Sequence, residues 1–260
     1  MLQIHGTTRR TPHIHVLHDF ADQAAQMVAD AIVTTIREKG QCRLGLAGGS
    51  TPAPVYARLR ALLPERAYRH LRVTWTDERA CDVASDVPGD WQAFDPATNL
   101  HAAYDNWLAH VPLPPEQVLP LAFSADVKQE LRIFGQRFKD GFRGELDVAL
   151  LGTGQDGHVA SLFPGHPALD VDDIALAIHD SPKPPSARIS LTLPVLQRAR
   201  TLVVLATGKA KAEVLARAAA GDPSLPLGRL AGHPRGYWLL DRAAAGVLLA
   251  EALGAPSAEA

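Results

Sequence analysis

The 260-residue chain lacks most of the features that mark a specialised environment. It has two cysteines, Cys42 and Cys81, and no C-x-x-C, so a zinc ribbon or a redox motif has no support. Cys42 stands in an apolar run and reads as a small core residue. No apolar run approaches the ~18 residues of a membrane helix. The opening MLQIHGTTRRTPHIHVL has no secretory apolar region, so a cytoplasmic location is expected. Neither sign of charge is in excess: 26 Lys and Arg face 28 Asp and Glu, a net charge of −2. No basic stripe points to nucleic acid and no polybasic segment to a membrane, so any anion must be bound by a local site. Also missing are a P-loop G-K-[ST], a G-x-S-x-G elbow, an internal repeat and a linker long enough to divide the chain. Residues 1–260 therefore read as a single domain. Its 47% apolar and 21% charged residues are an ordinary globular balance.

What is present is an alternation of apolar strands with helical periodicity. HIHVLHD (13–19) predicts a strand. Phe20, Ala24, Met27, Val28, Ala31, Ile32 and Ile36 then recur at helical spacing before Gly40. Strands are expected at CRLGLAGG, HLRVTWTDER, LDVALLG, RTLVVLATG and GYWLLD, with weaker ones at DIALAIHD and SARISLTL. Helices are expected at TPAPVYARLRALLP, NLHAAYDNWLAHV, SADVKQELRIFGQRFKDGF, KAKAEVLARAAAG and RAAAGVLLAEAL. Residues 80–98 read as a long loop, and PLPPEQVLPL as a Pro-rich connection. The alternation implies an α/β fold: a doubly wound, mostly parallel sheet flanked by helices.

The unusual residues cluster by position. AGGSTP, TDER, GTGQDGH and TGKAK each follow the carboxyl end of an expected strand, the edge where open α/β sheets bind ligands. Ordinary βα turns also favour Gly, Thr and Asp. Gly48, Gly49, Ser50 and Thr51 precede Pro52, which suits the first turn of a helix. They form either an anion site of backbone N–H groups and hydroxyls or a plain N-cap. Arg79, Arg188 and Lys211 are cations on or near the same rim, and read as phosphate ligands or as solvated surface charges.

GTGQDG is a literal G-x-G-x-x-G, but its context is wrong for a dinucleotide. The helix after it can run only from about His158 to Phe163, because Pro164, Gly165 and Pro167 stop it. Asp170, Asp172 and Asp173 stand before the next apolar run rather than after it. The glycines instead let the backbone pass close to a small ligand, with Asp156 and His158 presented to it. An acid two residues before an imidazole can orient it as a general base. The competing reading is a helix-capping Asp beside an incidental surface His.

These segments resemble the 6-phosphogluconolactonases, which share a superfamily with the glucosamine-6-phosphate deaminases. The resemblance runs from about Phe20 to Leu253. It rests on LAGGSTP (46–52), TDER (76–79), LDVALLGTGQDGHVASLFPG (146–165), SPKPPSARISLTL (181–193), TGKAKAEVL (207–215) and YWLLDRAA (237–244). It implies a Rossmann-like fold, no catalytic metal, no cofactor, and hydrolysis of 6-phospho-D-glucono-1,5-lactone to 6-phospho-D-gluconate, the second oxidative step of the pentose phosphate pathway. By motif, His158 would be the general base, Asp156 its neighbour, and Arg79 would face the ligand. Gly48, Gly49, Ser50 and Thr51 would line the phosphate side with Arg188 and Lys211, the family lysine falling on Lys211 rather than Lys209. Asp77, Gly154 and Asn99 would be substrate contacts. The deaminases have a Glu where this chain has Phe163, and a Tyr at the place of Arg79. Lactonases follow DER closely with Val-Pro; here Val87-Pro88 comes later, and Thr98 replaces a Ser before Asn99.

The expected partner is thus one small phosphosugar lactone, bound by a monomer or homodimer, with no nucleic acid or membrane. The rival readings are a phosphosugar isomerase or deaminase, which Phe163 disfavours, and a non-enzymatic phosphosugar-binding protein, for which the chain carries no added module. Ser161, inside the expected helical turn, is not expected to be a nucleophile.

Overall fold

The apolar runs and amphipathic stretches become strands and helices much where periodicity places them. The computed structural model describes residues 2–4, 11–80, 95–122 and 126–253. Cys81, Val87-Pro88 and most of the 80–98 loop lie outside the described residues. The first half comprises β1 (Leu2–Ile4), β2 (His13–Leu17), α1 (Phe20–Lys39), β3 (Cys42–Leu46), α2 (Pro52–Leu62), α3 (Glu65–Tyr68), β4 (Leu71–Trp75) and β5 (Asp77–Arg79). Next come α4 (Asn99–Asn106), β6 (Val118–Leu119), α5 (Val127–Phe142), β7 (Val148–Gly152), β8 (Ala175–Ile178) and β9 (Arg188–Leu191). The chain closes with α6 (Leu193–Gln197), β10 (Thr201–Ala206), α7 (Ala212–Ala219), β11 (Gly236–Asp241) and α8 (Gly246–Ala252).

Eight strands form one sheet in the order β1-β2-β11-β10-β7-β3-β4-β6. Every pair is parallel except β1 with β2. The central strands β3 and β10 are buried along their whole length. Burial on both faces explains their continuous apolar runs, since helices cover a parallel sheet on each side. Helix α1 packs on β3, β10 and β11. Its Val28 and Ile32 are fully buried, each worth roughly 1.5–3 kcal/mol. Gly40 ends α1 at φ 78°, the left-handed conformation that glycine adopts most cheaply.

Strand order sets where a ligand can enter. From β3 the chain moves outward to β4 and then β6. From β7 it moves the opposite way to β10 and β11. Strands β3 and β7 are neighbours, so their carboxyl ends flank the crevice at which the winding reverses, the place where open α/β sheets take ligands.

Four local readings change. HLRVTWTDER is two strands: the chain leaves the main sheet after Trp75, and β5 joins a separate antiparallel sheet in the order β5-β9-β8. Thr76 is the joint. Its N–H donates to Leu46 O at 2.8 Å, and its own carbonyl accepts from Leu191 N at 2.8 Å. The Pro-rich connection contains β6, which pairs with β4. The KAKAEVL helix begins as a 3-10 turn over Lys209–Lys211 before α7. Residues 158–163 form no helical turn: Val159 bridges both Thr153 and Leu162, and Ala160 sits at φ 51°. The proline and glycines that limit a helix there leave room for none.

Candidate active site

At the switch point lies a cavity of about 190 Å3. The loop after β3 supplies Gly48, Gly49, Ser50 and Thr51 to its wall, β5 supplies Asp77 and Arg79, and Asn99, His158, Arg188 and Lys211 also line it. Four separated stretches of sequence therefore do meet at one rim. Asp156 and Gly154 stand just behind that wall, and Lys209 is exposed outside it.

The loop after β3 is not a plain N-cap. Thr51 occupies the cap position of α2, yet its side chain makes no capping bond; Thr51 Oγ1 meets Thr207 Oγ1 at 3.1 Å instead. Pro52 and Pro54 have no N–H, so the Ala53 N–H is the first-turn donor left without a side-chain cap, at the positive end of the helix dipole. Gly48 must be glycine because a Cβ there would stand 2.5 Å from Asn99 Nδ2 and closer still to Oδ1. Gly49, at φ 98°, turns the chain toward the helix.

On the opposite side, β7 delivers Gly-Thr-Gly-Gln-Asp-Gly-His. His158 Nδ1 lies 2.5 Å from Asp156 Oδ1, and the His158 backbone N–H also donates to that oxygen at 3.3 Å. An ionised carboxylate only accepts, so Nδ1 carries the proton and Nε2 presents a lone pair. Partial burial pushes the Asp156 carboxyl up. The hydrogen bond and charge of His158, joined by Lys183, outweigh this and hold it well below the usual carboxylate range. Phe163, buried, packs its ring 4.9 Å from the imidazole at 40°. Gly154 lies against this pair, and a Cβ there would stand 2.5 Å from Asp156 Oδ1.

Beneath the cavity a buried polar layer holds the wall together. Asp77 accepts from Ser161 Oγ at 2.7 Å and from Asn99 Nδ2 at 3.3 Å. Ser161 is fully buried in that role, which excludes it as a nucleophile. Glu78 accepts from the backbone N–H groups of Arg79 and Asn99 at 2.7 Å and of Leu100 at 2.8 Å, anchoring the start of α4. Burial raises the Glu78 carboxyl to about 7, with Asp77 adding to the rise and the three N–H bonds opposing it. Thr98 caps α4, accepting from His101 N at 3.1 Å, so Thr in this place serves as Ser would.

The cations divide by role. Lys211 is half-buried on the cavity wall. Burial holds its ammonium below the ordinary lysine value, against the attraction of Asp241 and with the like charge of Lys183 adding. An anion in the cavity would offset that cost. Arg79 NH1 donates to Ala97 O at 2.5 Å. Arg188 is mostly committed to the protein. It donates to Pro185 O at 3.1 Å, Pro184 O at 3.0 Å, Lys183 O at 3.3 Å and Ser161 Oγ at 3.4 Å, leaving one of its five N–H groups for a ligand. Two residues that the structure ties to the site carry no signal in the sequence: Lys183, inside SPKPP, and Glu78, inside TDER. The partners that give each its place are distant in the chain: Lys183 reaches Asp156 across 27 positions, and Glu78 reaches Asn99 across 21.

An uncapped helix start and a half-buried lysine across from an oriented imidazole define an α/β enzyme site for a small anionic ligand. Residues 17–238 match the family described as glucosamine-6-phosphate isomerases/6-phosphogluconolactonase, and the chain belongs to that family. It is 35% identical over 238 residues to a 6-phosphogluconolactonase of Mycobacterium tuberculosis, covering 86% of this chain and 92% of that one. It is 34% identical to a 6-phosphogluconolactonase of Homo sapiens, covering 86% and 88%. Among solved structures, the 6-phosphogluconolactonase of Trypanosoma brucei superposes with a TM-score of 0.74 at 27% identity, covering 93% of this chain and all of that one.

Proposed function

We propose that this chain hydrolyses 6-phospho-D-glucono-1,5-lactone to 6-phospho-D-gluconate. The observation that carries the reading is the placement of the Asp156–His158 pair across one cavity from the uncapped α2 terminus and Lys211. A phosphate held at the Gly48–Thr51 loop, Lys211 and the spare Arg188 N–H leaves the lactone carbonyl beside His158, so remote binding energy orients the reacting carbon. Nε2 of His158 takes a proton from water while the water oxygen bonds to C1. The carbonyl π electrons move onto its oxygen, and Arg79 stabilises the resulting oxyanion. The tetrahedral intermediate then collapses, the C1–ring-oxygen bond breaks, and the imidazolium returns its proton to the leaving oxygen. The acid product ionises in water.

The family also includes isomerases acting on glucosamine-6-phosphate, whose chemistry needs further acid–base groups at this loop. Phe163, buried against the imidazole, supplies none, and both relatives described above are lactonases. We take the working unit to be a monomer or a homodimer. No described helix is long and apolar enough to cross a membrane; with a soluble metabolite as substrate, we place the protein in the cytoplasm. The test is an assay of the purified protein with freshly made lactone at slightly acidic pH, where spontaneous opening is slow. Turnover no faster than the uncatalysed reaction overturns the proposal.

A further inference from the structure

Lys183 stands behind the imidazole rather than on the cavity wall. Its Nζ lies 3.1 Å from Asp156 Oδ2 and 3.2 Å from His158 Nδ1. With the proton on Nδ1, both groups are donors, so the 3.2 Å approach is not a hydrogen bond between them. The two converge on one carboxylate, His158 taking Oδ1 and Lys183 taking Oδ2. We infer that Lys183 is a positioning residue for the general base: beside the imidazole, it holds Oδ2 of the Asp156 carboxylate while His158 takes Oδ1, and so fixes the carboxylate that orients the ring.

The backbone around Lys183 is built to hold that position. Ser181 Oγ accepts from Lys183 N at 3.2 Å and donates to Lys183 O at 2.9 Å. Arg188 donates to the carbonyls of Lys183, Pro184 and Pro185. Most of the hydrogen-bonding capacity of Arg188 is therefore spent on the segment that carries Lys183. The Lys183–Asp156 pair itself is 42% and 34% exposed, and pairs so exposed contribute little to stability. Its consequence falls on the imidazole. With Lys183 at hydrogen-bonding distance from Oδ2, the carboxylate cannot rotate freely about its χ2, and Nδ1–H keeps one acceptor. The charged groups in contact with His158 are Asp156 and Lys183. Arg79, Arg188, Lys211 and Asp77 share the cavity wall with it, and Phe163 presents an uncharged ring.

The inference rests on the lactonase reading, and its test separates the two. Wild type, Lys183→Met, Lys183→Arg and His158→Ala are compared with fresh lactone from pH 5 to 8. Lys183→Met is expected to lower kcat about tenfold with KM within about twofold, and to move the acid limb of the kcat profile to higher pH by about one unit, because a like charge beside the imidazole is lost. Lys183→Arg should restore most of kcat, and melting temperatures should be nearly unchanged. A raised KM with kcat retained would mean that Lys183 grips the phosphate, and a kcat profile that coincides with wild type would mean that it does nothing here; either overturns the inference while wild-type turnover keeps the lactonase reading intact. If wild type itself does not open the lactone, the lactonase reading falls. The 15N titration of the His158 imidazole then decides for Lys183, a midpoint unchanged in Lys183→Met overturning its role.

Discussion

Asp156 Oδ1 lies 2.5 Å from His158 Nδ1, and this contact decides which ring nitrogen faces the cavity. With Nδ1 donating to the carboxylate, Nε2 is the nitrogen that can accept a proton from water. His158→Ala should therefore lower kcat by roughly 100- to 10,000-fold with little change in product affinity. Asp156→Asn should lower kcat by at least about tenfold, since an amide can donate to Nδ1 and stabilise the wrong tautomer. Steady-state kinetics on the two variants checks both effects. Half-maximal activity in His158→Ala would remove the imidazole from the reaction.

The two cations Lys211 and Arg188 should part company on mutation. The Lys211 ammonium makes no hydrogen bond among the described residues, and its backbone N–H bond to Gly208 O survives truncation, so Lys211→Ala should act on ligand affinity alone. A charge-assisted contact is worth roughly 1.5–3 kcal/mol, or about 10- to 150-fold in affinity for 6-phosphogluconate. Arg188 bonds three carbonyls and Ser161, so Arg188→Ala should also lower the melting temperature by several degrees, as unpaired buried acceptors remain. Calorimetric titration and thermal melts on the same samples distinguish the two. Unchanged affinity in both variants would place the phosphate elsewhere.

The frame of this molecule is legible in its sequence because burial on both faces writes itself as uninterrupted apolar runs, as in Leu202–Ala206 and Val148–Leu151. The rim is legible because glycines and prolines punctuate strand ends. What periodicity does not reveal is long-range pairing of polar residues. Asp77 and Glu78 read as the charged end of one strand, yet both are buried because Ser161, Asn99 and the start of α4 supply their donors. Strand β6 is two residues long, too short for any alternation to register. Lys183 is one lysine among prolines until the fold brings Asp156 to it.

Glu78 gives stability a pH dependence of known sign. Its folded-state carboxyl is raised from 4.5 to about 7. The folded state therefore binds the proton more tightly than the unfolded chain. The resulting stabilisation is complete below about 4.5 and is lost as pH rises toward 7, for a total on the order of 3 kcal/mol. Glu78→Gln cannot titrate, so its melting temperature relative to wild type should rise between pH 5 and pH 8. Paired melts across that range test this. A constant difference would mean that the three N–H bonds keep Glu78 ionised throughout.

Phe163→Glu asks whether the choice between the two branches of the family resides in one side chain. Phe163 is 3% exposed and its ring lies 4.9 Å from that of His158. A glutamate there would place a carboxyl at a buried position beside the imidazole. Ionised, it would cost several kcal/mol; protonated, it would still not pack as the ring does. The imidazole would lose the surface it rests on, and lactone hydrolysis should fall at least tenfold, since general-base catalysis depends on placement. No ammonia should be released from glucosamine-6-phosphate, because the cavity still presents Arg79, not a tyrosine, to the ligand. Phe163→Leu, which keeps an apolar contact, should retain more activity than Phe163→Glu. Ammonia release and lactone hydrolysis measured on the same preparations decide the matter. Ammonia release by wild type at a rate comparable to its lactone hydrolysis would assign the chain to the other branch.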